Sequence, residues 1–382
     1  MNKNWDSSKH WHTGNGSHSE FKGTGYNGKR RPDFYNNSNA DKIKFYDWCY
    51  ERAEKLYKVM KHGGYVAIFG HPKTNHRMKC AFEDAGFKIV EETDWVYLTG
   101  MPKNQDIGKL FDKASKAKRQ MIGASKWHSE GRTVTYGSNG IYNGQSDTVI
   151  GDGRWETTPT TDLAKKWNGW KTAGLKPAHE PITIFQKPLE GTYVQNIEKY
   201  GCGGMNINAC RVPISKADID MLNAKASKNP TTSYSDREDK IYGAYAEDKA
   251  MPPNELGRFP SNMILDEYAN TLLGGNNKNF TVIKYQPKVS PSERKLPNGE
   301  RNPHVTLKPI GLIKWLIKLL TPTDGTTIDI TAGSCTHAVA CEELNKHDGY
   351  SLKYIDIELM NSENEPYCDV GKMRVNAILD SK

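Results

Sequence analysis

An α/β fold is what this sequence predicts, and three observations predict it. A "YVAIFG" run from Tyr65 is followed by a helical pattern, "TNHRMKCAFEDAGF", and then by the strand pattern "KIVEETDWVYLTG". A second unit closes the chain: "TIDI" from Thr327, a small-residue turn Ala332-Gly333-Ser334, a helix from Thr336, and the strand "LKYIDIE". Strands that alternate with helices imply a sheet with helices packed on its faces. The length of 382 residues suffices for one large domain or two smaller ones.

The elements follow in order. Residues Ser7 to Asn39 are rich in Gly, Asn, Ser and His without periodicity, which predicts a polar arm. Phe45, Cys49, Ala53, Leu56 and Met60 then recur on one helical face, with Asp41 near the start and Gly63-Gly64 as the stop. "YVAIFG" reads as a buried strand, and the helix after it closes at Gly86. From Pro102 to about Asn168 the pattern fades into Gly-, Ser-, Thr- and Asn-rich stretches, read as an insertion of loops and short helices. "AHEPITIFQKP" returns to strand. The stretch from about 190 to 285 is irregular, with "GCGGMNINACRVP" and "GRFPSNMIL" as local anchors. Pro309 opens a helix with Ile310, Ile313, Ile317 and Leu320 on one side, a position that suits proline.

Composition bounds the partners. Apolar residues are 36 % and mean hydropathy is −0.75. No apolar run approaches the roughly 18 residues of a membrane span, and the start "MNKNWDSSKH" has no apolar signal region. No membrane association and a cytoplasmic, intracellular location are expected. Cys202 and Cys210 are the cysteine pair of interest, but no second Cys or His pair completes a zinc site, so reduced thiols and no metal are expected. The net charge of +8 is mild; its distribution says more, with seven bases against two acids from Lys103 to Lys126. That run is either a solvated helix face or a surface for phosphates.

The turn after "TIDI" has the form of a nucleotide-type cofactor turn. A strand–turn–helix unit aims backbone N–H groups and a helix N-terminus at a ligand, and an acid at the end of the next strand takes ribose hydroxyls. Here that acid is Glu358, with Asp356 two residues earlier on the same face. No Gly-Lys-Ser/Thr follows, which excludes a P-loop, and the three-glycine dinucleotide fingerprint is absent, which excludes a nicotinamide oxidoreductase.

Read together, the blocks resemble the beta group of S-adenosylmethionine-dependent DNA amino-methyltransferases, in which the catalytic half precedes the cofactor half. The family's D-P-F-x-G-S-G-T motif is matched by Asp329-Ile330-Thr331-Ala332-Gly333-Ser334-Cys335-Thr336. Its H-P-T-x-K-P block is matched by "HVTLKP", His304 to Pro309. The helix and strand "FYDWCYERAEKLYKVMKHGGYVAIFG" and the segments "DWVYLTGMPKN", "WNGWKTAGLKPAHEPITIFQKPLEGT", "GCGGMNINACRVP" and "GRFPSNMILD" are similar to further family blocks in the same order.

The resemblance implies a Rossmann-like methyltransferase fold with a mostly parallel twisted sheet and an irregular target-recognition insertion. It implies a polar arm at 1–40, a catalytic-half region at 41–189 with a loop insertion near 104–168, target recognition at 190–300, and a cofactor region at 301–382 sharing one sheet with 41–189. S-adenosylmethionine is the implied cofactor. Asp329, Ala332, Gly333, Ser334 and Thr336 would surround its methionine part, Glu358 its ribose, and Thr306 and Lys308 its carboxylate. Double-stranded DNA is the implied partner, with Thr74, His76, Arg77, Lys103, Trp170 and Lys176 as contact candidates, and an exocyclic amino group, adenine before cytosine, as the target.

Two departures stand out. Thr331 replaces an aromatic or large apolar residue and Cys335 replaces a glycine, so weakened cofactor binding is expected. The family's D/N/S-P-P-Y/F catalytic motif is not in the sequence. "NEPY", Asn364 to Tyr367, lies after the ribose strand and resembles the start of the family's final helix, with Met373 and Ile378 expected in the core. No catalytic residue is therefore assigned. In relatives with this block order the catalytic motif precedes a segment like F-M-G-K-x-W-D, and this chain begins "MNKNWD". The expectation is an incomplete or inactive methyltransferase that lacks the central strand carrying that loop, with a complementing chain as partner. The alternative is a non-catalytic DNA-binding remnant or one subunit of a split enzyme.

Overall fold

A computed structural model describes residues 39–97, 100, 102, 104–124, 155–228, 255–274, 280–283, 292–304, 306–359, 361–362 and 365–381. The polar arm, most of the Gly-rich insertion, Lys103, Asn364 and residues 229–254 lie outside them. Two compact units result: residues 42–98 with 178–382, and residues 99–177.

In the larger unit, helix α1 (Asn39–Val59) leads into β1 (Tyr65–Phe69), α2 (Asn75–Asp84) and β2 (Lys88–Val96). Strand β5 (His179–Gln186), β6 (Met263–Asp266) and β7 (Thr281–Ile283) complete a five-stranded sheet in the order β1-β5-β2-β6-β7. β5 runs antiparallel to both neighbours, whereas β2–β6 and β6–β7 are parallel. β5 is the spine: Pro181 to Lys187 are all buried. Such a run needs cover on both faces. On one face Phe185 meets Cys49, Ala53 and Leu56 of α1 and Met78, Ala81 and Phe82 of α2. On the other, Ile182 meets Trp95 and Ile264 and the apolar stripe of α8 (Ile310–Leu320) through Leu312 and Leu316. Lys187, where β5 ends, turns its ammonium onto the carbonyls of Tyr57 and Met60 at 2.7 and 2.9 Å, closing the end of α1.

α8 is apolar on more than one side, because Ile317 also packs on α9 (Thr336–His347) through Ala340, Cys341 and Leu344. The expected stripe of Ile310, Ile313, Ile317 and Leu320 is thus only part of its contact surface; Leu312, Leu316, Ile317 and Leu319 are the buried ones. α9 lies between β8 (Thr326–Asp329) and β9 (Lys353–Asp356), which pair in parallel as a separate ladder. A short hairpin, β10 (Asn361–Ser362) with β11 (Glu365–Pro366), leads to the final helix, here α10 (Tyr367–Asp380). Its buried residues are Tyr367, Val370, Gly371 and Arg374; the expected Met373 and Ile378 are only half-buried.

The α/β class matches the sequence expectation, and three of the larger unit's six described strand pairings are parallel. The single shared sheet is not found among the described residues, since β8–β9 has no hydrogen-bonded neighbour in the five-stranded sheet. The reason lies in two edges. Gly64 accepts from Lys187 N–H and Gly70 donates to Pro181, so even-numbered backbone groups of β1 face β5. Those of Tyr65, Ala67 and Phe69 point the other way, with no ladder partner among the described residues. Gly325 and Asp329 carbonyls accept from Lys353 and Ile357, so Thr326, Ile328 and Ile330 present the second edge of β8. Ile330 packs into the same cluster as Val66 and Ile68 of β1. β1 is consequently half-buried along its length, not fully buried as its sequence suggests.

The smaller unit is built around one carboxylate. α3 (Ile107–Ala114) carries Asp112 toward the hairpin β3 (Gln120–Ala124) and β4 (Trp155–Thr158) and toward α4 (Asp162–Lys166). Asp112 accepts from Thr160 N–H at 3.1 Å, Thr161 N–H at 2.9 Å, the Thr161 hydroxyl at 2.8 Å and Arg119 Nη1 at 2.6 Å. Arg119 also donates to the Thr157 hydroxyl and carbonyl, which joins the two strands to the helix. Burial alone would push the Asp112 carboxyl up, but the Thr161 and Thr160 N–H groups, the Thr161 hydroxyl and the guanidinium outweigh it and hold it at about 2. A carboxyl held below its unfolded value stabilises the fold above that unfolded value, and the contribution vanishes as pH falls through the folded one. The urea midpoint difference between wild type and Asp112→Asn should therefore be constant above pH 5 and shrink between about pH 4 and 2. A difference that does not change over that range would contradict this role.

Candidate cofactor site

All of the turn and its supports belong to the larger unit. β8 ends at Asp329, whose Oδ1 accepts from Thr331 N–H at 2.9 Å and starts the turn. Ala332 N–H bonds Ile357 O at 3.0 Å, and Ile357 N–H bonds Asp329 O at 2.8 Å, so β9 holds the turn beyond the last ladder pair. Gly333 sits at φ 56°. Its own N–H donates to Glu358 Oε2 at 2.7 Å. A β-carbon at 333 would come within 2.4 Å of His304 Nε2, so only glycine lets the His304 ring close over the turn.

Below the turn lies a buried polar network. Arg374 Nη1 donates to Ser334 O at 2.6 Å and to Thr336 Oγ1 at 3.1 Å. Ser334 Oγ accepts from Asn302 Nδ2 at 2.9 Å, and Asn302 Oδ1 accepts from His304 N–H at 3.0 Å. His304 stacks edge-on against Tyr367, ring centroids 4.8 Å apart. Its Nδ1 is buried without a partner among the described residues, and burial pushes its pKa down to about 3, so the ring is neutral. Asp356, two residues before Glu358, accepts from His337 Nδ1 at 2.5 Å and from Ala338 N–H at 3.2 Å, capping α9. Burial lowers the His337 pKa, but the bond to Asp356, with help from Cys341, dominates and raises it to about 10.

Asp329, Ala332, Gly333, Ser334, Thr336 and Glu358 are thus together. Ser334 and Thr336 spend their side chains on Asn302 and Arg374, holding the turn's shape. Lys308 forms an ion pair with Glu180 at 3.0 Å and lies 5.0 Å from the centroid of the Phe69 ring, beyond the ends of β1 and β5. Thr306 is half-buried nearby in sequence. Of the DNA candidates, Thr74 precedes α2, His76 is exposed, and Arg77 buries an Nε that has no partner among the described residues. Trp170 and Lys176 belong to the smaller unit, where Trp170 is 60 % exposed rather than in a core. Sequence reasoning missed His304 as a supporting group, Asn302 and Arg374. Arg374 left a signal: it falls four after Val370 and seven after Tyr367, on the buried stripe of α10.

The departure at Cys335 has a structural consequence. It caps α9 at φ 56°, ψ 44°, a left-handed conformation costing a non-glycine residue about 1 kcal/mol. Burial pushes its thiol up to about 12, so it is no nucleophile at neutral pH. Its sulfur is accommodated by Gly371 of α10, where a β-carbon would come within 2.3 Å of it.

Comparison with known proteins gives this site its family. Residues 24–368 match the family model described as DNA methylase, and the chain belongs to that family. It is 21 % identical over 317 residues to the type II methyltransferase M.HindIII of Haemophilus influenzae. That match covers 81 % of this chain and 66 % of the relative, so the chain spans just under two-thirds of the relative's length. Among solved structures it is similar to the M1.HpyAVI–SAM complex, at 12 % identity and a TM-score of 0.37 over 87 % of this chain and 83 % of that one. It is similar also to PvuII DNA methyltransferase (cytosine-N4-specific), at 13 % identity and a TM-score of 0.38 over 88 % and 79 %.

The Cys335–Gly371 contact can be tested by a double-mutant cycle. Gly371→Ala should cost about 1–3 kcal/mol of stability by overpacking, and less than half as much in a Cys335→Gly background. Equal costs in the two backgrounds, read by thermal unfolding, would show that the thiol is not what Gly371 accommodates.

Proposed function

We propose that this chain is the cofactor-binding and scaffold part of a DNA amino-methyltransferase, acting on an exocyclic amino group, adenine N6 in the first instance. The observation that carries the reading is the turn after β8. A β-strand, a turn with Gly333 at positive φ, a helix N-terminus and a carboxylate on the next strand converge on one point, in a chain of the DNA methylase family. A backbone N–H beside a strand-end carboxylate suits a ligand with both a carboxylate and vicinal hydroxyls. The buried Nδ1 of His304 supplies a further polar atom beside the same turn. S-adenosylmethionine fits that donor set: Asp329 to Ser334 would surround its methionine part and Glu358 its ribose. When bound it supplies an electrophilic methyl group.

The chain's own residues hold and orient. Arg374 and Asn302 fix the turn from below, and β9 fixes it from the side. What the sequence lacks is a group set to accept the target amino proton, the role of D/N/S-P-P-Y/F in the family. The second edges of β1 and β8 support the proposal that a complementing chain supplies it. Each offers alternate backbone groups to an added strand, and Ile330 and Val66 bring the two edges to one apolar cluster. A strand set there would be covered by α1 on one face and α8 on the other.

The chain alone should bind S-adenosylmethionine weakly and transfer no methyl group to mixed genomic DNA. Cys335→Gly with Thr331→Phe should tighten binding about tenfold, near 1.4 kcal/mol, measured by calorimetry. A polypeptide carrying an apolar strand followed by Asp-Pro-Pro-Tyr should restore radiolabel transfer, with N6-methyladenine as product by nucleoside analysis. Robust transfer by the chain alone, lost on changing Asp329 or Glu358, would show that another loop supplies the catalytic groups; N4-methylcytosine as the product would correct the target.

A further inference from the structure

The smaller unit has no part in the turn just described, yet its surface is strongly one-signed. Across residues 104–124 and 155–177 nine bases stand against four acids. Three of those acids are already engaged: Asp106 with Lys171, Asp112 with Arg119, and Asp162 with Lys165. Lys109, Lys113, Lys116, Lys118, Lys166 and Lys176 are all exposed and have no ion-pair partner among the described residues. Their arrangement follows from the packing. α3 and α4 meet through buried Gly108 and Ala164, where a β-carbon at 108 would come within 2.9 Å of the Ala164 carbonyl. The helices therefore approach closely on that side and leave Lys109 and Lys113, one helical turn apart, exposed on α3.

Exposed apolar groups are interleaved with this charge. Trp170 is 60 % exposed and edge-on to Trp167 at 5.0 Å; Leu175 is 94 % exposed and precedes Lys176. We infer that residues 104–124 and 155–177 form a sequence-independent contact surface for the double-stranded DNA backbone, with the lysines on phosphates and Trp170 against sugar or base edges. This rests on the DNA-modifying role proposed above. It names a contact region in a different unit from the cofactor turn. Phosphate contacts position a protein on DNA and carry no sequence information, which suits a unit whose lysines stand on short helices and turns without a reading helix. An anionic membrane is disfavoured as the occupant, because α3 and α4 have only eight and five residues and are too short to lie in an interface as amphipathic anchors.

The test is fluorescence-anisotropy binding of the full chain to a 30-base-pair duplex across a salt series. Two triple variants are compared with wild type: Lys109→Glu/Lys113→Glu/Lys166→Glu, and a matched surface control in the larger unit, Lys55→Glu/Lys58→Glu/Lys88→Glu. Each phosphate contact adds about 0.9 to the salt slope, so the first variant should lose about 2–3 from the slope and bind roughly ten- to a hundredfold more weakly at low salt. The control should stay near wild type. Lys→Gln versions at 109, 113 and 166, with unchanged thermal unfolding, separate charge from folding and should show the same direction of loss. Unchanged slope in the first variant and in its Gln version, with wild type binding DNA, overturns the contact surface and leaves the methyltransferase reading standing. Equal losses in the control also overturn it. Wild type that binds no DNA removes both readings, and tighter binding to phosphatidylserine vesicles than to duplex assigns the surface to a membrane instead.

Discussion

A buried guanidinium holds the candidate site in shape. Arg374 projects from the last helix into the layer beneath the β8 turn and donates to the Ser334 carbonyl and the Thr336 hydroxyl. Those acceptors otherwise belong to a turn with a left-handed glycine and a left-handed cysteine, and the cysteine disfavours it in the absence of support. Burial lowers the Arg374 pKa without neutralising the group, and the hydrogen bonds offset the cost of enclosing a charge. The last helix is therefore part of the site.

The second constraint is strand pairing. A strand whose side chains are covered on both faces is expected to be fully buried, and β5 is. β1 has equivalent cover from α1, α2 and α8 but stays half-buried, because one of its edges has no ladder neighbour among the described residues. The same holds for β8, which alternates exposed and half-buried residues. The apolar content of β1 suits a more central place than the one it occupies.

Much of this was legible in the sequence where one rule acted alone. The α1 face, the Gly63-Gly64 stop and the β8–turn–α9 unit follow from periodicity and turn chemistry, and the structure has each of them. So does the convergence of Asp329, Gly333 and Glu358, because a strand–turn–helix–strand order brings two strand ends together. What could not be read were partnerships across distance in the chain. Asp356 was placed beside Glu358 by strand alternation, but His337 one turn into α9 claims it. Lys308 pairs with Glu180, 128 residues earlier, a contact that no local spacing discloses. Met373 and Ile378 were assigned to the core on hydrophobicity, whereas the buried stripe of α10 includes Arg374, a charge that only a tertiary network accommodates. Asp112 gave no signal at all, since its four donors come from two segments, Arg119 and Thr160-Thr161, the second of them 48 residues further along the chain than Asp112.

The central claim is that the turn after β8, shaped by Arg374, is where S-adenosylmethionine sits. Photochemical cross-linking of radiolabelled S-adenosylmethionine to the full chain, followed by peptide mapping, tests it most directly and tolerates weak binding. The account predicts label on peptides containing Asp329 to Thr336 or Ile355 to Glu358, displaced by unlabelled cofactor product and lost in a folded Arg374→Met variant. Label that maps to another part of the chain, or that survives in Arg374→Met at full strength, would contradict it.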